Sequence, residues 1–139
     1  MKRVFSTLLA LLVVSSAVFG ADLSFISKEI SLQKDEQKKI LVKYEGREKL
    51  FKFRWTLYIN DGLVIHRSYG KIVGQNILYA HSKNQSFKQE LVTRGAVYYD
   101  VPYMLVKFKE FDAKKNEAKF QIFLFDRNNE IKWKFLKNK

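Results

Sequence analysis

The sequence predicts an all-β fold, namely a single antiparallel β-sandwich or small barrel of about seven to nine strands. Two observations predict it. Apolar and polar residues alternate with a period of two through most of residues 24–136, which is typical of strands with one buried face. Clusters of Gly, Asn and Asp separate these runs at short intervals, as the turns of an antiparallel sheet do.

The alternation predicts seven strands directly and leaves one stretch ambiguous. The seven segments are 24–32, 39–44, 51–59, 63–69, 103–111, 118–126 and 131–136. Within the ambiguous stretch 70–99, Ser86 and Gln89 have the spacing of a capping box, and Gly95 could end a short helix near 86–94. Weak alternation over the same residues is equally consistent with a strand, so both interpretations stay open.

The turn at Asn60-Asp61-Gly62 sets the register of the first clear hairpin. We expect a three-residue loop with Gly62 in the left-handed conformation. This loop places Leu57 opposite Ile65 and directs Leu57 and Ile59 toward the core, together with the aromatic residues that precede them. A slip of one residue would reverse every one of these side chains, so the loop length decides the core.

The segment from 103 to 136 is predicted to be a meander of three strands. A loop at 112–116 sets Val106 opposite Ile122. A two-residue type I′ turn at Asn128-Asn129 then sets Ile122 opposite Phe135. Both hairpins place the same residues of the middle strand on the core face, and Trp55 and Trp133 are both expected in that core.

Residues 1–20 have the pattern of a cleavable secretory signal peptide. Lys2 and Arg3 precede an apolar stretch over 8–14, which is too short to span a bilayer, and small residues suit cleavage near Gly20. The short basic segment is typical of Gram-negative export, so we expect a periplasmic protein that does not span the membrane after cleavage. The chain has no cysteine, and its core must hold the exported domain without disulfides.

Cleavage between Gly20 and Ala21 would leave residues 21–139 as a single all-β domain with a large basic excess. Two of the 26 Lys and Arg residues and none of the 14 acids lie in the signal, so this part has 24 basic and 14 acidic residues, a net charge of +10. Such an excess favours anionic partners, such as lipid headgroups, lipopolysaccharide phosphates, peptidoglycan carboxylates or nucleic acid.

The sequence predicts no enzyme, no cofactor and no metal site. His66 and His81 are the only histidines, and neither has the partners of a catalytic triad. The chain contains no Gly-x-Ser-x-Gly elbow, no His-Glu-x-x-His helix and no glycine-rich phosphate loop. Nucleic acid is disfavoured as well, because the aromatic and basic residues that alternate over 51–55 and 132–135 would point to opposite faces of their strands.

Two surfaces are candidate binding sites. The first is an anion-binding set of outward cations in the middle of strands: Lys52, Arg54, Lys107, Lys109, Lys119, Lys132 and Lys134. The second is an apolar docking patch on the outward face of 103–126, formed by Tyr103, Leu105, Phe123 and Phe125. Such a patch has to be covered, and residues 70–95 are the expected cover, with a partner or a lipid as alternatives.

These features together predict a non-enzymatic periplasmic binding module. Its expected ligand is an amphipathic anion of the lipid or lipopolysaccharide type, held by the basic strand face. The alternative is an accessory structural subunit of a cell-envelope assembly, which would dock on another envelope protein through the apolar patch.

Overall fold

The structure, a computed structural model, describes residues 25–92 and 101–137 and is an antiparallel β-sandwich of two sheets. The all-β prediction is confirmed: this part of the chain contains nine strands and no helix, so no helix in it could cross a membrane. The strands are β1 Phe25–Gln33, β2 Lys38–Tyr44, β3 Arg47–Ile59, β4 Gly62–Tyr69, β5 Ile72–Tyr79, β6 Ser86–Glu90, β7 Tyr103–Asp112, β8 Glu117–Phe125 and β9 Lys132–Phe135. The predicted signal peptide lies outside the described residues.

The two sheets have four and five strands and do not close into a barrel. The four-stranded sheet has the order β1-β8-β7-β6, and the five-stranded sheet has the order β5-β4-β3-β2-β9. The β7–β8 hairpin has the predicted register, with Val106 opposite Ile122. A bulge at Lys109 shifts the end of this hairpin, so Lys119 lies opposite Glu110 and forms an ion pair with it at 3.0 Å.

The predicted hairpin between β8 and β9 is wrong, because the chain crosses from one sheet to the other after β8. Phe135 lies opposite Ile40 of β2, and Ile122 has β1 and β7 as its neighbours. Asp126 directs this crossing: its carbonyl accepts a hydrogen bond from the Asn129 N–H at 3.2 Å, and its carboxylate accepts one from the Ile131 N–H at 2.6 Å. After this turn the chain therefore crosses to the other sheet, and β9 does not pair with β8.

The β3–β4 turn has two residues and not the predicted three. Asn60 and Asp61 both have positive φ, 51° and 64°, as a type I′ turn requires, and Gly62 begins β4. Asn and Asp tolerate this conformation because their short polar side chains can hydrogen-bond locally. A Cβ at Gly62 would lie 2.9 Å from the ring of Tyr79, so a larger residue there would displace this ring.

A β-bulge at Thr56 changes which side chains of β3 face the core. Before the bulge Trp55 lies opposite Ile65, and after it Leu57 lies opposite Val64. The extra residue reverses the alternation, so Leu57 and Ile59 face outward although the sequence predicted them inside.

The ambiguous stretch contains two strands in its described part, β5 and β6. The helix near 86–94 is therefore wrong over 86–92, and the rest of that interval lies outside the described residues. Phe87 of β6 and Leu91, which follows this strand, both point into the core, and Gln89 is buried between them. Tertiary pairing of β6 with β7 prevails over the local capping signal.

Aromatic rings fill the space between the sheets. Phe53 and Phe120 meet edge to face across the two sheets at 5.3 Å, and Phe108 packs against Phe120 at 6.1 Å. The buried Trp55 ring donates its N–H to the Leu32 carbonyl at 2.8 Å. These contacts fill the centre of the sandwich with aromatic rings.

Candidate anion-binding surface

The seven predicted anion-binding residues divide between the two sheets, so the structure does not bring all of them into one site. Lys52, Arg54, Lys132 and Lys134 belong to the five-stranded sheet, and their alternation with buried neighbours places them on its outer face. The remaining three, Lys107, Lys109 and Lys119, belong to strands of the four-stranded sheet, in the other layer of the sandwich.

The outer face of the five-stranded sheet carries a basic band across β9, β2 and β3. Lys39 lies directly opposite Lys52, and Lys43 lies directly opposite Lys132. The register thus adds Lys39 and Lys43 to the predicted set. We define the basic band as the following outward cations: Lys39, Lys43, Lys52, Arg54, Lys132 and Lys134.

Carboxylates neutralise this band only at its margins. Lys43 pairs with Glu48 at 3.1 Å, and Arg54 approaches Asp35 at 3.9 Å. Within the described part of the chain, the other four cations have no ion pair. Like charges directly opposite each other on a sheet destabilise it, and a bound anion would remove that repulsion.

The outer face of the four-stranded sheet is different, because acids are interleaved with its lysines. Glu110 pairs with Lys119, and the hydrogen bond from Lys119 to this carboxylate raises the pKa of the ammonium group. Two more acids lie on the same outer face as Lys119. Glu29 is on the neighbouring strand β1, and Glu117 precedes Lys119 by two residues on β8. This face is therefore mixed in sign.

An apolar corner lies on the same outer face as the basic band, at the β3–β4 hairpin. Leu57, Val64 and Ile77 form one row across three strands, and Ile59 and Tyr79 flank Gly62 in the next row. Leu57, Ile59 and Ile77 are 47%, 57% and 49% exposed. The sequence did not predict this apolar corner, because it is created by the bulge that turns Leu57 and Ile59 outward.

The two regions adjoin along the strands. The row next to the apolar corner consists of Arg54, His66 and Gln75, so the basic band begins there with Arg54. Lys39 and Lys52 follow in the next row. At about 3.3 Å of rise per residue, the outer face changes along β3 from apolar at Ile59 and Leu57 to basic at Lys52 over roughly 20 Å. It is therefore an amphipathic surface on one rigid sheet.

The predicted apolar patch does assemble on the outer face of the four-stranded sheet. Tyr103 stacks on Phe125 at 4.8 Å, and Leu105 lies opposite Phe123. Phe25 of β1, which the sequence did not assign to the patch, extends this row with its ring 5.6 Å from Phe125.

Residues 70–95 do not cover this patch in the part that is described. Residues 72–79 belong to the other sheet, and residues 86–90 lie beside the patch in the same sheet. From this stretch, Lys88 approaches the margin of the patch, with its ammonium group 4.2 Å from the centre of the Tyr103 ring. The predicted cover is wrong for residues 70–92, because β6 extends the sheet at its edge and does not fold over its face.

Two pockets of about 290 and 300 Å³ open at the end of the sandwich next to Tyr69 and Leu91. Both are bordered by Val92, the last described residue before 101, so we assign no ligand to them.

Comparison with models of protein families, with curated proteins and with solved structures found no match. Fold and surface therefore define the class of the protein. It is a nine-stranded antiparallel sandwich with one amphipathic, basic outer face.

Proposed function

We propose that the protein is a non-enzymatic module that binds an anionic lipid surface through the outer face of its five-stranded sheet. One observation carries the proposal: the basic band and the apolar corner lie side by side on this single face. Phosphate and carboxylate headgroups would meet the cations, and the apolar side chains would enter the boundary with the acyl chains.

The expected free energies favour reversible binding, in which several weak contacts with the membrane add up. Each Lys near an anionic membrane contributes about 1 kcal/mol at low ionic strength. The four lysines of the band that have no ion pair among the described residues would together give measurable binding. Leu57 and Ile59 add apolar area that water already contacts in the free protein. The cations and the exposed apolar side chains therefore both favour binding through this one face.

Binding at a surface is better supported than binding in a cavity. A carrier would hold its lipid between the sheets, but rings such as Phe53 and Phe120 occupy the centre of that space in direct contact. The predicted export agrees with a surface role, since a periplasmic protein faces two membranes that contain anionic phospholipid. The ligand class is therefore proposed as an anionic headgroup with an adjoining apolar layer.

Two triple variants with the same change in charge test the proposal. Lys39, Lys52 and Lys134 changed to Gln remove three cations from the proposed face, and Lys107, Lys109 and Lys119 changed to Gln remove three from the other sheet. Cosedimentation with phosphatidylglycerol vesicles at low salt should weaken on the order of a hundredfold for the first triple and far less for the second. Phosphatidylcholine vesicles should bind neither variant nor the wild type.

Equal losses in the two triple variants would contradict the proposal, because they would reduce the binding to net charge. Binding that survives both triple variants and high salt would instead favour docking through Tyr103, Phe123 and Phe125. That alternative is weaker because the three rings are half-buried and Tyr103 and Phe123 both pack against Phe125.

A further inference from the structure

The outer edge of β5 is an open pairing edge of the five-stranded sheet. Among the described residues β5 forms a ladder with β4 alone. One other backbone hydrogen bond is made at its end, where the Tyr79 N–H donates to the Asn84 carbonyl at 2.9 Å. Residues 72–78 therefore present a row of backbone donors and acceptors to a further strand.

β5 differs from the other three edge strands in having no charged residue. The edge strand β1 contains Lys28, which points inward over the ring of Phe135 at 4.5 Å. The edge strand β6 contains Lys88, and β9 contains Lys132 and Lys134. Lysines at an edge and inward-pointing charges are the usual means of preventing a sheet from pairing with another chain.

The side chains of β5 also favour pairing with another strand, because several of them are apolar and exposed. Val73, on the outer face, is 79% exposed, and Ile72 and Ile77 are exposed as well. An edge strand that is long, apolar and uncharged is an interaction site unless something covers it.

The sequence of β5 is self-complementary when it is paired antiparallel with itself. Two apolar residues, Ile72 and Val73, precede the centre, and two more, Ile77 and Leu78, follow it. With Gln75 opposite its own copy, Val73 of one chain lies opposite Ile77 of the other on the outer face. On the inner face, Ile72 of one chain lies opposite Leu78 of the other.

We propose that β5 pairs antiparallel with β5 of a second copy of this chain, about a two-fold axis at Gln75. Such an interface is isologous, and the palindromic order of apolar and polar residues is what an isologous contact requires. Two five-stranded sheets join into one sheet of ten strands, and the two basic bands come to lie on the same outer surface. The proposal does not depend on lipid binding, although the dimer would present both bands together.

The symmetry gives a test that a different partner could not satisfy. Gln75→Lys and Gln75→Glu each place two like charges directly opposite each other at the axis, and each should weaken dimerisation by about tenfold or more. An equimolar mixture of the two variants places Lys opposite Glu, so it should dimerise more tightly than either variant alone. Sedimentation equilibrium at physiological salt, without lipid, measures all three.

The matched control is Gln33→Lys at the end of the edge strand β1, where the side chain is exposed and lies opposite Glu117. It should leave the dimer unchanged. Thermal unfolding of each variant checks that the fold is kept. A wild-type protein that is monomeric at every concentration overturns the proposal. A dimer that neither Gln75 variant weakens, or a mixture no tighter than its components, overturns it equally.

Discussion

Arg67 of β4 donates from its Nη1 to the side-chain oxygen of Gln89 on β6 at 2.7 Å, and this hydrogen bond joins the two sheets. The same guanidinium donates from Nε to Asn76 at 2.6 Å and lies 5.1 Å from the centre of the Phe87 ring. Gly74 leaves the room for it, since a Cβ there would lie 3.1 Å from the guanidinium carbon. Burial lowers the pKa of the Arg67 guanidinium. Its hydrogen-bond partners are neutral amides, so they do not offset this lowering as a carboxylate would.

Removal of Gln89 should expose the cost of leaving this cation without its partner. Gln89→Ala should lower the free energy of unfolding by about 1.5–3 kcal/mol, because the hydrogen bond involves a charged group and is partly buried. The control Gln121→Ala removes a half-exposed Gln from the outer face of β8 and should cost under about 0.5 kcal/mol. Urea denaturation measures both, and equal costs would mean that the bond to Arg67 contributes nothing.

The two tryptophans should contribute unequally to stability. Trp55 is fully buried and hydrogen-bonded, so Trp55→Ala should cost about 3–5 kcal/mol. Trp133 is half-buried on the edge strand β9, so Trp133→Ala should cost about 2 kcal/mol. Lys52→Ala and Lys134→Ala, on the opposite faces of the same strands, should each cost under about 0.5 kcal/mol. Losses at the lysines as large as at the tryptophans would show that the strand faces are assigned in reverse.

The buried Tyr69 should make stability depend on alkaline pH. Its hydroxyl donates to the Leu91 carbonyl at 2.7 Å, and burial raises its pKa from 10.0 to about 12. The unfolded chain therefore loses this proton first, so the stabilisation is complete below pH 10 and is lost as pH rises toward 12. Across that interval the wild type should lose on the order of 2 kcal/mol more than Tyr69→Phe.

Denaturant unfolding of both proteins between pH 9 and pH 12 measures this difference. Other tyrosines and the lysines titrate equally in the two proteins, so they cancel in the comparison. Parallel stability curves for the wild type and Tyr69→Phe would contradict the raised pKa of Tyr69.

The bulge at Thr56 predicts which of two neighbours on β3 matters for stability. Tyr58 stacks on Phe111 at 4.0 Å, so Tyr58→Ala should cost about 2 kcal/mol. Leu57 is half in water, and Leu57→Ala should cost under about 1 kcal/mol while weakening vesicle binding. Thermal unfolding measures the first effect and cosedimentation the second. The reverse order of costs would mean that β3 keeps a regular alternation through Thr56.

Short-range patterns predicted most strands and the register of one hairpin up to its bulge at Lys109. The alternation over 103–126 and the predicted loop at 112–116 were sufficient to place Val106 opposite Ile122. A period of two is a local property, because successive side chains of a strand point to opposite faces whatever the rest of the fold does. The same reasoning predicted that Tyr103 and Phe125 would lie side by side, which they do.

The candidate site was less predictable, because it depends on a local interruption of that pattern. The bulge at Thr56 turned Leu57 and Ile59 outward, and nothing in the alternation of β3 marks it. Its presence depends on how Trp55 and Tyr58 pack against the other sheet, which is a property of the assembled core. An apolar corner beside the cations could therefore not be foreseen.

The sequence by itself determined that this protein is an antiparallel all-β structure with cations on the outward positions of its strands, since both follow from the order of residues along each strand. The tertiary structure alone decided that β9 leaves β8 for the other sheet, that Lys52 and Lys119 belong to different layers, and that β5 is an uncharged edge. The physical reason is that strand order is set by contacts between residues far apart in the chain. Those contacts depend on burial and on turns that cross between the sheets, such as the turn at Asp126. The local pattern of residues along a strand does not contain this information.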